Sequence, residues 1–79
     1  MNLALARKHI SDKIDSGELT QKDWPEDDWT QLDENTDLNL WQDEETFECK
    51  AAVYPVKKVA GFYSTDTNKP HELKVEFAS

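Results

Sequence analysis

Leu3, Ala6, Ile10 and Ile14 recur at spacings of three and four residues. That period puts them on one face of a helix over residues 2–15. Asn2 offers an N-cap oxygen, and Ser16-Gly17 offers a stop, because glycine takes the left-handed conformation that ends helices. Leu5 falls off the stripe; it reads as a lone exposed leucine or as a contact for a partner. Residues 18–32 read as a connector with a short second helix. Pro25 suits its first position, where a missing N–H costs nothing. Glu26, Asp27 and Asp28 then fall in a first turn whose dipole favours carboxylates. Trp29 and Leu32, three apart, would share its buried side.

The period changes to two near Leu38. Residues 33–37 are turn-rich, and beyond them Leu38 and Leu40 alternate with Asn39 and Trp41. Asp43-Glu44-Glu45 reads as a turn. Residues 46–54 form the next predicted strand, with Phe47, Cys49, Ala51 and Val53 on one face and Glu48, Lys50 and Tyr54 on the other. Pro55 predicts a strand end or a bulge. Residues 56–64 form a third strand with Gly61 as a candidate bulge. Asp66, Asn68 and Pro70 mark a loop. The last strand, residues 71–78, points Leu73, Val75 and Phe77 inward and Glu72, Lys74 and Glu76 outward.

Short connections between these strands imply an antiparallel meander. The expected fold is therefore α+β: an N-terminal helix packed on a three- to four-stranded antiparallel sheet, with the short second helix or an acidic loop between. A chain of 79 residues makes one domain with one small core. Its stability amounts to only a few kcal/mol (~0.05–0.15 per residue), so both a monomer and a homodimer are consistent with it.

Composition adds a charge pattern. The chain carries 17 acidic and 9 basic residues, a net charge of −8, and a mean hydropathy of −0.87. The charge is not spread evenly. Residues 23–48 hold eleven carboxylates, no Lys or Arg, and all three tryptophans. The candidate partner-binding residues come from this stretch: Asp23, Trp24, Glu26, Asp27, Asp28, Asp33, Glu34, Asp37, Trp41, Asp43, Glu44 and Glu45. Tryptophan is enriched in binding hot spots, but a small domain also needs large side chains for its core. Trp29 is expected in the core; Trp24 and Trp41 are open between core and interface. Lys57 and Lys58 read as edge-strand charges, or as partners for the acidic stretch.

Negative charge disfavours direct contact with nucleic acid or an anionic membrane, and favours a basic protein surface. No stretch approaches the ~18 apolar residues of a membrane span. Arg7 and Lys8 are followed by no apolar run, so a signal peptide is not expected. One cysteine permits no internal disulfide, which fits a reducing cytoplasm.

Residues 33–44 imitate a calcium loop. Asp33, Asn35, Asp37 and Glu44 match positions 1, 3, 5 and 12, but Leu38 stands where the sharp turn needs glycine, so no metal site is expected. Cys49 alternates onto the apolar face as a structural thiol. His9 and His71 lie far apart in the chain. With only Gly17 and Gly61, no phosphate loop can form. No catalytic residue and no cofactor is expected.

At the level of class, the chain resembles the small acidic inhibitors encoded by phages and mobile elements, including DNA mimics and anti-CRISPR or anti-restriction proteins. The resemblance rests on size, on the base-free run 23–48 and on the single Cys49; no family motif is matched and no functional residue carries over. It implies a non-catalytic inhibitor whose acidic face docks on a basic surface, such as the nucleic-acid-binding groove of another protein. The alternative is a structural or assembly subunit that dimerises through a sheet edge or through exposed aromatics.

Overall fold

The structure, a computed structural model, describes residues 1–77. Helix α1 spans Leu3–Asp15. Asn2 caps it: its side-chain oxygen accepts from the Leu5 N–H at 3.0 Å. The Asn2 N–H also donates to Thr36 Oγ1 at 2.8 Å, which ties the helix start to the sheet. At the other end Gly17 takes φ +81°, as a helix stop requires. The chain then doubles back, and the Leu19 N–H reaches the Lys13 carbonyl at 3.0 Å.

Five antiparallel strands follow: β1 (Asp27–Asp33), β2 (Thr36–Gln42), β3 (Cys49–Val59), β4 (Phe62–Thr65) and β5 (His71–Leu73). Their order is β1-β2-β3-β4, and β5 pairs with the first half of β3. The α+β expectation holds, with α1 first and an antiparallel sheet after it. The face toward α1 carries Leu38 and Leu40 from β2, Ala51 and Val53 from β3, and Leu73 from β5, packed with Ala6, Ile10, Leu19 and Trp24. Val75 and Phe77 extend this side past β5, as the predicted alternation requires. The last strand was expected to reach Ala78, which lies outside the described residues; among those described it stops at Leu73.

Five expectations are corrected. Residues 18–32 form no second helix: Pro25 leads into strand β1, and the Gln42 N–H donates to the Glu26 carbonyl at 3.3 Å. A helix of so few residues cannot offset its nucleation cost, whereas pairing with β2 satisfies the same backbone at once. Trp29 consequently leaves the core and is 47% exposed. Leu32 sits at a bulge between Gln31 and Asp33 and packs at the core margin. Pro55 does not end β3. It sits at the last pair of the β2 ladder, opposite Thr36, where a missing N–H takes nothing from the central pairing. Gly61 is not a bulge but half of a hairpin turn. Ala60 (φ 51°) and Gly61 (φ 84°) are both left-handed, the geometry that matches the twist of a two-residue hairpin. Phe47 is not an inward strand residue; β3 begins only at Cys49.

Trp24 closes the core. It is 2% exposed, its Nε1 donates to the Lys50 carbonyl at 3.2 Å, and Phe77 packs edge-on at 5.7 Å. Trp24→Ala should cost about 3–5 kcal/mol, a large part of what a domain this small has. Trp29→Ala should cost much less, about 1 kcal/mol for its packing on Tyr54. A chemical denaturation series separates the two, and equal losses would contradict this division of roles.

The β3–β4 hairpin yields a second expectation. Ala60 holds a conformation that costs an L-residue about 1–2 kcal/mol. Ala60→Asn relieves part of this, because asparagine tolerates the left-handed region. Amide exchange at Lys57 and Ser64, a hydrogen-bonded pair of the ladder, should slow roughly fivefold, from ~1 kcal/mol of hairpin stability. Unchanged exchange would mean that the turn does not limit the hairpin.

Candidate functional site

Alternation along β1, β2 and β3 builds a second face, turned away from α1. Trp29 pairs with Asn39, and Asp27 with Trp41, in the β1–β2 register. Asn39 pairs with Ala52, and Asp37 with Tyr54, across to β3. Nothing from α1 covers this side, so its own side chains shield it. Trp29 and Tyr54 meet with ring centroids 5.0 Å apart. Beneath this layer Ala52 is 0% and Asn39 7% exposed. Asn39 is satisfied by β1: its Nδ2 donates to Asp27 Oδ1 at 2.8 Å and to the Asp28 carbonyl at 3.1 Å.

The aromatics open into a groove of about 1020 Å³. Its walls are Trp29, Trp41, Phe47 and Tyr54, and its acids are Glu26, Asp27, Asp43, Glu44 and Glu45. No Lys or Arg lines it. Lys50 lies next to Trp41 in the β2–β3 register, but its Nζ stands 3.3 Å from Glu48.

The turn between β2 and β3 sets the rim. Asp43 Oδ1 accepts from the Glu45 N–H at 2.8 Å and from the Thr46 N–H at 2.9 Å. The Phe47 N–H closes the turn onto the Asp43 carbonyl at 2.9 Å. Phe47 is left there at φ +60° and 72% exposed. A bulky residue in the left-handed region is an outlier, and such strain concentrates at functional sites.

Of the residues expected from the sequence, Glu26, Asp27, Trp41, Asp43, Glu44 and Glu45 converge on this groove. The others do not. Trp24 is core. Asp23 is exposed on the connector. Asp28 points to the opposite side, where its charge acts on His9; burial nonetheless lowers the His9 pKa. Asp33 and Glu34 lie at the β1–β2 turn, where Asp33 Oδ1 accepts from the Asn35 N–H at 2.8 Å. Asp37 accepts from Thr65 Oγ1 and so fastens β2 to β4. Trp29, Asn39, Phe47 and Tyr54 were absent from the expected set. A period of two carried back from Leu38 through Trp29 would have found the first.

The remaining chemistry is sparse. Residues 33–44 run along β2 instead of wrapping an ion; at ~3.3 Å per residue, Asp37 and Glu44 lie roughly 20 Å apart along the chain. Among the described residues no three His, Cys, Asp or Glu side chains converge in a metal-holding arrangement. Burial raises the Cys49 pKa, the opposite of what an activated thiol needs. Lys57 pairs with Asp66 at 3.1 Å and Lys58 lies over Tyr63, so neither joins the groove. No helix among the described residues is long and apolar enough to cross a membrane. What the groove offers is aromatic surface and negative charge, a combination that suits organic cations. Comparison with protein-family models, curated proteins and solved structures finds no match to this chain.

The turn makes a pH prediction. The N–H groups of Thr46 and Glu45 hold the Asp43 carboxyl below its usual value of 3.8. With the folded pKa depressed, the stabilisation is present above the unfolded value and is lost as pH falls through the folded one. The Asp43 carboxyl resonance should titrate below pH 3.8, and the Glu45 and Thr46 amides should exchange faster once it is protonated. A midpoint at or above the usual value would mean that the carboxylate does not hold the turn.

Proposed function

We propose that this chain is a non-catalytic protein-binding inhibitor that docks the open face of its sheet on a Lys/Arg-rich surface, such as a nucleic-acid-binding groove of another protein. One observation carries the reading: four aromatics and five carboxylates share a groove on the uncovered face, with no base among them. Aromatics that could have filled the core are instead held at the surface, as binding hot spots are. The carboxylates supply a field that speeds encounter with a cationic surface and rejects anionic ones. Anti-defence inhibition of the DNA-mimic kind is the role that fits such a partner. Dimerisation through the edge of β1 fits less well, because Asp27, Asp28 and Asp33 lie along that edge and would face like charges in a second copy.

The test uses a lysine- and arginine-rich peptide as the probe. Glu26→Gln, Glu44→Gln and Glu45→Gln together neutralise rim charges while leaving the Asp43 turn and Asp27 intact. The comparison is Asp15→Asn, Asp23→Asn and Glu34→Gln, three acids outside the groove. The rim variant should bind roughly threefold to a hundredfold more weakly, from the usual range of exposed ion pairs, mostly through a slower association rate and with a shallower salt dependence. The comparison variant should bind nearly as the natural chain does. Equal affinities and equal salt slopes in both would reduce the carboxylates to solubilising charge and end this reading.

A further inference from the structure

We propose that the groove takes an arginine side chain of the partner, and that Asp27 is the residue that selects it over lysine. The inference rests on the docking reading above and adds the chemistry of the central contact. Asp27 and Asp43 are the groove acids held by hydrogen bonds before any ligand arrives, and of the two only Asp27 stands on the sheet itself, Asp43 being committed to the β2–β3 turn. Asp27 Oδ1 accepts from Asn39 Nδ2 at 2.8 Å. Asn39 is itself nine-tenths buried, and its Nδ2 also donates to the Asp28 carbonyl at 3.1 Å. Two acceptors at one end of the amide fix which end is nitrogen, so the Asn39 oxygen is left as an acceptor. Among the described residues neither that oxygen nor Asp27 Oδ2 receives a hydrogen bond.

The surroundings suit a flat cation. Asp27 lies opposite Trp41 in the register and two residues before Trp29, on the same face of the sheet. A guanidinium there would bond the carboxylate through its planar fork and lie against indole surface at the same time. It brings five N–H donors to the acceptors at this spot, where an ammonium brings three and no plane. Glu26 and the Asp43–Glu45 rim attract either cation and do not tell them apart. Lys50, the nearest base in the register, is turned to Glu48 and leaves Asp27 unneutralised.

The experiment titrates the ¹⁵N-labelled full chain with three matched peptides: glycine alternating with three arginines, with three lysines, or with three citrullines. The indole N–H resonances of Trp29 and Trp41 report on the groove, and that of the buried Trp24 is the internal control. The arginine peptide should move Trp29 and Trp41 but not Trp24, and should bind about tenfold tighter than the lysine peptide, as expected of a bidentate charge-assisted contact. The neutral citrulline peptide should bind weakest. Asp27→Asn should bring the arginine peptide down to the level of the lysine peptide, whose own affinity should fall by less than about fivefold. Trp41→Leu provides a second variant in case Asp27→Asn disturbs β1; it should also lower the preference for arginine. Equal arginine and lysine affinities that still depend on Glu26, Glu44 and Glu45 would overturn the selection by Asp27 and leave the docking surface standing. Failure of both cationic peptides to move Trp29 or Trp41 would overturn both.

Discussion

One helix can cover only one face of a sheet, and among its described residues this chain has one helix. The 13 residues of α1 reach ~20 Å, enough to lie along one side of β2 and β3. The face beneath it takes the aliphatic residues, and Trp24 closes the end. The other face receives no layer. Ala52 and Asn39 still have to be kept from water there, and only side chains of that same face can do it. Trp29 over Tyr54 is the solution reached. The groove is therefore what remains when a small domain runs out of elements with which to cover its sheet.

The same shortage explains the outline of the molecule. Beyond Pro55, β3 loses β2 as a neighbour and continues with β4 alone as a two-stranded arm. An isolated hairpin is marginal in water. This one is fastened at its base, where Thr65 bonds Asp37 and the Asp66 N–H reaches the Pro55 carbonyl at 2.9 Å. Asp66 also holds Lys57, while Lys58 lies over Tyr63, so neither lysine of the arm joins the groove. Phe62 and Tyr63 remain exposed near its tip because a two-stranded ribbon has no interior to offer them.

The sequence made the architecture legible wherever a period ran over several residues. The helix stripe, the β2 alternation and the inward order Leu73, Val75, Phe77 are all present in the structure. It misled where a local signal outweighed a weaker period. Pro25 followed by three acids is a good helix start, yet β1 forms there because β2 lies ready to pair with it. That substitution of strand for helix moved Trp29 from core to surface. Half of the expected binding residues do meet in the groove, because β1 and the β2–β3 turn come from one base-free stretch. The rest scatter because alternation sends neighbours such as Asp27 and Asp28 to opposite faces. Phe47 was illegible: its position depends on a left-handed backbone set by the Asp43 turn, and no periodicity encodes that.

Solubilising charge and docking charge are usually weighed as rivals, but under the docking proposed above they have the same cause. An uncovered sheet face with Trp29, Trp41, Phe47 and Tyr54 would invite contact with other apolar surfaces, a second copy of the chain included. Carboxylates around the aromatics oppose this, since two such faces brought together would bury like charges against one another. The repulsion does not act on a cationic face. In the proposed docking, charge that opposes self-contact would leave a cationic surface free to approach aromatics that are already exposed. A layer of neutral polar residues such as serine or glutamine would also keep the face wet, but it would not choose between partners. Only five of the eleven acids in residues 23–48 line the groove; under the proposed docking those five would both hold the face open and discriminate, while others serve local structure, as Asp33 does in its turn and Asp37 against Thr65.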